Sequence, residues 1–347
     1  MNNLGLILKN IYTLMRIDNM LSSFSEKRSG NVLTLPNFTV VKFVLLFTMA
    51  ITPLHAGDIY TEENLLTFYR YDKTQPFEAI FDTTGGGTPE CYEIKVSFKS
   101  IHQERIPAML YIPKKATPAS PVPCVFWLHG YSGNKKIDKD ILSLMAYYGY
   151  AVMSLDAQYH GERKKPTKDM YSLDLVQNRY AFAQTIIDHR RALDLVETIA
   201  EIDSDRIGLL GGSMGAILGA LLAGVDDRIK AAVLVSGGGD WAEMIKGSDL
   251  KPSDPIRKYL RDNYQLVDRL LGPVDPINLI HRACAVQMHH GTEDITVPYA
   301  TGLALFDRAV EPKEFHSYPG EDHYSISEGN SLILVVGRTI NWFNQHL

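Results

Sequence analysis

From residue 122 to the end of the chain, strand patterns alternate with helical patterns. Short apolar runs predict strands over 122–128, 150–155, 206–210, 230–235, 285–289 and 314–318. Apolar residues at helical spacing predict helices over 141–148, 175–200, 214–223, 298–310 and 331–345. Such alternation is typical of a mostly parallel sheet with helices on both faces. We therefore expect the α/β class, with the carboxyl ends of the strands along one edge of the sheet.

Two stretches depart from this alternation. Residues 92–98 and 106–112 alternate between apolar and polar side chains, which predicts an antiparallel pair ahead of the parallel strands. Residues 237–282 contain no strand pattern, although 254–271 has helical spacing. In open α/β sheets, insertions of this kind often lie at the carboxyl edge, near the functional site. We expect a small cap over the site, and a surface insertion without a role in the site is the alternative.

The overall composition is that of an ordinary globular protein. Of 347 residues, 45% are hydrophobic and 22% are charged, with a net charge of −5. This balance excludes a disordered chain and a polytopic membrane protein, and it lacks the basic character of a dedicated nucleic-acid binder. Three cysteines are too few for a disulfide framework, so we expect buried thiols, with a single disulfide pair in an exported protein as the alternative.

The N-terminal segment has the features of a targeting signal. Lys42 precedes a short apolar run over 43–51, and a small residue, Ala56, follows. This order is typical of a secretory signal peptide, and the run is too short for a comfortable transmembrane span. We expect residues 1–56 to be a signal peptide or an uncleaved anchor, and 57–347 to be the folded domain. Because forty residues precede the apolar run, a later start such as Met20 stays open. The protein is expected to be exported, to the periplasm or medium, with membrane anchoring as the alternative.

The most informative motif is the sequence Gly-Gly-Ser-Met-Gly over 211–215. A predicted strand runs directly into this motif, and a helix of small residues follows it. In this setting G-x-S-x-G marks a sharp strand-to-helix turn, which holds the serine hydroxyl exposed at the sheet edge. The flanking glycines are required because the two backbones approach closely at such a turn. We therefore expect Ser213 to be a nucleophile, with a turn or helix-capping serine as the alternative.

A nucleophilic serine needs a base and a group that orients the base. Asp294 follows the strand predicted over 285–289, and His323 follows the strand predicted over 314–318. The order is therefore Ser, Asp, His, with each residue just beyond a strand of one parallel sheet, so the three side chains can meet. Glu293, next to Asp294, and Asp240, after the strand over 230–235, are alternative orienting acids.

Other polar residues near these strand ends are assigned structural roles. Asp322, beside His323, is expected to be a loop or capping acid. The neighbouring histidines His289 and His290 have no further ligands at metal spacing, so we predict no metal site there. The chain also lacks a phosphate-binding glycine loop and a cofactor fingerprint.

A second loop is placed to stabilise the oxyanion of an acyl-transfer reaction. The buried strand predicted over 122–128 opens into His-Gly-Tyr-Ser-Gly at 129–133. We expect the backbone N–H of Tyr131 to face that of Met214, the residue after the nucleophile. Two such donors form an oxyanion hole, and each is worth about 10²–10³ in rate. The Tyr131 side chain would then be free to line the acyl pocket.

Residues 90–347 resemble an α/β-hydrolase. The residues that carry this resemblance are the motifs over 129–133, 211–215 and 291–294, the pair Val297-Pro298, and His323. Within that superfamily the chain is similar to dienelactone hydrolase-like and prolyl-oligopeptidase-like small serine carboxylesterases. The stretch 156–163 resembles a loop common in that group. We expect its His160 and Arg163 to be structural, and contact with the substrate is the alternative. The nucleophile departs from dienelactone hydrolases proper, which use cysteine where this chain has Ser213.

The resemblance implies hydrolysis of a small-molecule carboxylic ester by a serine mechanism, without cofactor or metal. No nucleic-acid partner is expected, and a membrane partner is expected only if the N-terminal segment is uncleaved. A serine peptidase or amidase of the same fold is one alternative, which is weakened because no β-propeller repeats precede the domain. A non-hydrolytic acyl-binding or transferase relative is the other.

Overall fold

The computed structural model describes residues 60–327 and 329–347, and a nine-stranded sheet forms the centre of this part of the chain. The strands are β1 (Ile80–Gly87), β2 (Cys91–Lys99), β3 (Arg105–Pro113), β4 (Val122–Leu128), β5 (Ala151–Leu155), β6 (Ile202–Gly212), β7 (Ile229–Val235), β8 (Ala285–Gly291) and β9 (Lys313–Tyr318). Their order across the sheet is β1-β2-β3-β5-β4-β6-β7-β8-β9. The predicted signal segment, 1–56, lies outside the described residues.

The sheet is antiparallel at one end and parallel elsewhere. β1, β2 and β3 pair antiparallel, and β3 pairs antiparallel with β5. From β5 through β4 to β9, every neighbouring pair is parallel. The prediction of an α/β fold with a mostly parallel sheet is confirmed. The loops after β4, β6, β8 and β9 therefore leave the sheet at one common edge.

Helices cover both faces of the sheet. The helices are α1 (Glu62–Thr67), α2 (Lys139–Tyr148), α3 (Leu175–Val196), α4 (Met214–Val225), α5 (Trp241–Gly247), α6 (Ser253–Leu260), α7 (Gln265–Leu271), α8 (Tyr299–Arg308) and α9 (Gly329–His346). On β4, Phe126 joins a buried cluster that contains Ile186 of α3, whereas Val125 joins one that contains Leu142 of α2 and Phe343 of α9. Successive strand residues point to opposite faces, so the apolar character of β4 follows from burial on both.

Two local features differ from the sequence-based expectation. β1 was not predicted, because most of this edge strand is exposed and it ends in three glycines, which leaves no apolar alternation to detect. The helix predicted over 254–271 is two helices, α6 and α7. Arg261, directly after α6, has a positive φ of 52°, which ends the first helix. Helical spacing of apolar residues continues across the break and therefore does not reveal it.

The interval between β7 and β8 folds as α5, α6 and α7 followed by three short 3-10 turns. Asp275 holds the two ends of this interval together. Its buried carboxylate accepts hydrogen bonds from the backbone N–H groups of Asp240 (2.9 Å) and Trp241 (2.8 Å). The indole N–H of Trp241 donates to the carbonyl of Val274 at 3.0 Å. Burial raises the pKa of the Asp275 carboxyl to about 6, although these backbone donors oppose the change.

Within the described residues, no helix is both long and apolar enough to cross a membrane. The three cysteines are free thiols. Cys91 and Cys124 are buried as expected, whereas Cys284 is only half-buried.

The turn from β6 into α4 depends on glycines that contact neighbouring backbone. A Cβ on Gly215 would overlap the carbonyl group of Leu128 at the end of β4, and a Cβ on Gly211 would overlap the carbonyl of Gly215. By contrast, a Cβ on Gly212 would have no heavy atom within 4 Å. Two of the three glycines are therefore required by packing, and Gly212 is not.

We expect Gly215→Ala to destabilise the protein by about 1–3 kcal/mol or more, because α4 must move away from β4 to admit the methyl group. The melting temperature should fall by several degrees. Gly212→Ala is the matched control in the same turn, and it should melt close to the wild-type protein. Thermal unfolding followed by circular dichroism tests this, and equal melting temperatures for the two variants would contradict the packing argument.

Candidate active site

Ser213 occupies the turn between β6 and α4 at the carboxyl edge of the sheet. Its φ of 55° and ψ of −122° lie in a region that residues other than glycine rarely adopt. The turn is held by a hydrogen bond from the Ser213 N–H to the carbonyl of Val235, at 2.8 Å. Strain of this kind persists where the surrounding structure enforces it, and here it presents the hydroxyl at the N-terminus of α4.

His323 lies in the loop after β9 and joins Ser213 to Asp294. Its Nε2 is 2.9 Å from Ser213 Oγ, and its Nδ1 is 2.7 Å from Asp294 Oδ2. Because a carboxylate can only accept, Nδ1 carries the proton, and Nε2 accepts from the serine hydroxyl. Asp322 turns the loop, since its Oδ1 accepts from the N–H groups of Tyr324 (2.9 Å) and Ser325 (2.8 Å). The structure thus brings the three predicted residues together in the predicted order.

Asp294 is held on both of its oxygens. Oδ1 accepts hydrogen bonds from the N–H groups of Thr296 and Val297, each at 2.9 Å. Oδ2 faces His323, and also His290 at 3.2 Å. Burial acts to raise the pKa of this carboxyl, but hydrogen bonds from His290 and His323 outweigh it and hold the pKa at about 2. Asp294 is therefore a charged, oriented partner for His323.

The alternative acids lie elsewhere. Glu293 is exposed on the loop beside Asp294. Asp240 caps α5, where its side chain accepts from the N–H of Glu243 at 3.0 Å. Of the three acids considered, the structure places Asp294 against His323.

His289 and His290 are buried, and His289 contacts its neighbours through both ring nitrogens. Nδ1 of His289 lies 2.8 Å from the Tyr318 hydroxyl, and Nε2 lies 2.9 Å from Oε1 of Gln287. Across the described residues, no group of three or more His, Cys, Asp or Glu side chains is arranged to hold a metal ion.

The loop after β4 passes beside the serine. A Cβ on Gly130 would lie 3.7 Å from Ser213 Cβ, and Met214 is the first residue of α4. His129 braces this loop, because its Nδ1–H donates to the Gly130 carbonyl at 2.8 Å and its Nε2 accepts from the N–H of Ala157 at 3.1 Å. Burial lowers the pKa of His129, which favours the neutral ring that these two contacts require.

The Tyr131 side chain is not free, contrary to our expectation. Its hydroxyl donates to Asp169 Oδ2 at 2.6 Å, and its ring lies edge-on to those of His160 and Tyr171. Asp169 belongs to a loop without regular structure, and no pattern in the sequence marked it. Tyr131 and Asp169 are 38 residues apart in the sequence, so their hydrogen bond depends on the folded chain and no local sequence pattern predicts it.

His160 and Arg163 are buried beside this loop, away from solvent. Arg163 pairs with Glu104 and Asp188, each at 2.8 Å, and Nδ1 of His160 bonds to the carbonyl of Gln158 at 3.0 Å. The contacts of Arg163 join Glu104, directly before β3, and Asp188 of α3 to the 156–163 loop.

Above Ser213 the structure has an open cleft of about 960 Å³. Tyr131, His323 and Tyr324 line it, together with Thr296 and the segment 249–252. That segment belongs to the interval between β7 and β8, so this interval forms one wall of the cleft. Tyr324 is 66% exposed, and its ring stands perpendicular to the ring of His323.

Comparison with known proteins places this geometry in a family. The acetyl xylan esterase (AXE1) family model matches residues 62–335. YitV of Bacillus subtilis, provisionally described as an esterase, is 28% identical over 257 residues, which cover 69% of this chain and 94% of YitV.

Solved structures show the same fold. Acetyl xylan esterase 1 from Thermoanaerobacterium superposes with a TM-score of 0.68 at 21% identity, and the match covers 81% of this chain and 92% of that one. Pyrococcus horikoshii acylaminoacyl peptidase superposes with a TM-score of 0.60 at 16% identity, and the match covers 79% of this chain but 42% of the peptidase. The resemblance to α/β-hydrolases is confirmed, and the chain belongs to the acetyl xylan esterase (AXE1) family of hydrolases.

Proposed function

We propose that the protein is a serine carboxylesterase that acts through an acyl-enzyme. The observation that carries this proposal is the unbroken series of contacts from Ser213 Oγ to His323 Nε2 (2.9 Å) and from His323 Nδ1 to Asp294 Oδ2 (2.7 Å). Ser213 is the nucleophile, His323 the general base and Asp294 the orienting acid. This arrangement activates a hydroxyl at neutral pH without a metal or cofactor.

In the first half-reaction, Ser213 Oγ attacks the ester carbonyl carbon while His323 Nε2 takes the hydroxyl proton. Asp294 stabilises the resulting imidazolium and keeps its Nδ1–H in place. The backbone N–H groups of Tyr131 and Met214 are the proposed donors to the oxyanion. The tetrahedral intermediate collapses, the bond to the alcohol oxygen breaks, and the alcohol leaves with the proton from His323.

In the second half-reaction, water attacks the acyl group on Ser213. His323 removes a proton from the water, the same N–H groups hold the oxyanion, and the acid leaves as Ser213 recovers its proton. The open cleft allows both the alcohol to leave and water to enter.

We infer that the substrate is a short-chain ester, specifically an acetyl ester of a carbohydrate. Family membership supports the acetyl group. The cleft supports a polar alcohol, because Ser132, Ser236, Ser327 and Lys251 line it and Tyr324 offers an exposed ring next to His323. To test this substrate class, rates of hydrolysis are compared for aryl esters from acetate to dodecanoate, for acetylated xylo-oligosaccharides and for peptide amides. Faster cleavage of the amides would favour the peptidase alternative.

Ser213→Ala is expected to lower hydrolysis of p-nitrophenyl acetate by about 10³-fold or more, because it removes the hydroxyl that contacts His323 and would form the acyl-enzyme. The fold should be retained, since alanine fits in the same space. A stopped assay with circular dichroism as the folding control measures both. Near-normal turnover in a folded variant would refute the proposed nucleophile.

Asp294→Asn is expected to reduce turnover by orders of magnitude, because an amide favours the wrong tautomer of His323. The same change in a serine protease triad lowers kcat by about 10⁴-fold. Glu293→Gln and Asp240→Asn are matched controls that should stay within about tenfold of wild type, since Glu293 is exposed and asparagine still caps α5. Turnover at saturating substrate is the measurement. If one of the two controls lost activity and Asp294→Asn did not, the residue that orients His323 would be the acid changed in that control.

We also propose that the protein is exported, because Lys42, the apolar run over 43–51 and Ala56 form a signal-peptide pattern. N-terminal sequencing of protein from the native host should find a mature chain that begins near Gly57. Recovery of intact chain from the cytoplasm would contradict export.

A further inference from the structure

His290 is a second histidine in contact with Asp294. It lies near the end of β8, four residues before Asp294, and its side chain is fully buried. Its Nε2 is 3.2 Å from Asp294 Oδ2 and 3.0 Å from the carbonyl of Val297. Asp294 therefore stands between two imidazole rings, of which only the ring of His323 reaches Ser213.

The surroundings of His290 define which ring nitrogen carries the proton. Nε2 faces two acceptors and so carries the hydrogen, whereas Nδ1 has no hydrogen-bond partner among the described residues. Nδ1 lies against Gly302 of α8, where a Cβ would overlap the ring. The ring of Tyr299, also on α8, meets the His290 ring edge-on at 5.6 Å. His290 thus turns its Nε2 toward two acceptors, and its ring occupies a space that a glycine leaves open.

We infer that His290 is a positioning residue for the proposed active site. Its Nε2–H donates to the Val297 carbonyl at 3.0 Å and also faces Asp294 Oδ2 at 3.2 Å, an oxygen that His323 contacts as well. The inference rests on the proposed function, because it assigns His290 a role only through Asp294. The backbone N–H groups of Thr296 and Val297 fix Oδ1, so His290 and His323 are the side chains that act on Oδ2.

This sharing has a consequence for the pH dependence of activity. The His290 donor withdraws charge from Oδ2, and it contributes to the low pKa of Asp294 against the opposing effect of burial. Without that donor the carboxylate remains charged at neutral pH but interacts more strongly with protonated His323. Protonated His323 is inactive as a base, so activity would be lost at a higher pH. Within the described part of the chain, the other titratable groups that face this cluster are Tyr299 from α8 and Asp322 from the loop after β9.

The test is the pH profile of kcat/KM for p-nitrophenyl acetate, which reports the free enzyme. His290→Leu removes the donor, and we expect the midpoint of the acid limb to move upward by about half a pH unit or more. His290→Gln retains an N–H donor and should return the midpoint toward wild type. His289→Leu is the matched control, because His289 is an equally buried neighbour that contacts Tyr318 and Gln287 instead of Asp294. It should leave the midpoint unchanged.

Gly302→Ala provides a second route if His290→Leu does not fold. Its methyl group would push the His290 ring from its site, so the midpoint should move in the same direction. A midpoint equal to wild type in whichever of the two variants folds would overturn the inference, as would an equal shift in His289→Leu. Failure of the proposed function is distinguishable, because it would show as ester hydrolysis that does not depend on Ser213.

Discussion

The close approach of β6, α4 and β4 is the contact on which the rest of the site depends. Gly215 touches the carbonyl of Leu128, so the helix that begins after Ser213 lies directly against the end of β4. The same contact sets the position of the serine and of the loop that carries Tyr131. Because β4 and β6 are parallel neighbours, both loops emerge on one side, and a single packing constraint aligns the proposed nucleophile with the proposed oxyanion donors.

Buried carboxylates then hold the loops that surround the serine. Asp156, fully buried, accepts from both the backbone N–H and the ammonium group of Lys135, each at 2.8 Å, and from the N–H of Glu162 at 2.9 Å. Asp294 is satisfied on both oxygens in the same way. A buried charge without such partners would be strongly destabilising, so each carboxylate favours one loop conformation. The preorganisation that the proposed ester hydrolysis needs therefore comes in part from buried carboxylates that hold these loops.

The sequence predicted those elements whose patterns are local. Burial on both faces makes β4 a dense apolar run, and the β6–α4 turn requires small residues around Ser213, so both were evident before folding was considered. β1 was missed because a mostly exposed edge strand has no such pattern. The break between α6 and α7 was missed because it depends on the backbone angle at Arg261, which apolar spacing does not report.

Local patterns were sufficient to predict the α/β class, the succession of strands along the chain, and the placement of Ser213, Asp294 and His323 just beyond strand ends. Only the folded chain shows which acid faces His323, that the Tyr131 hydroxyl donates to Asp169, and that His290 contacts Asp294. Periodicity and turn chemistry act between near neighbours in the chain, whereas the direction of a loop side chain depends on what other segments leave open around it.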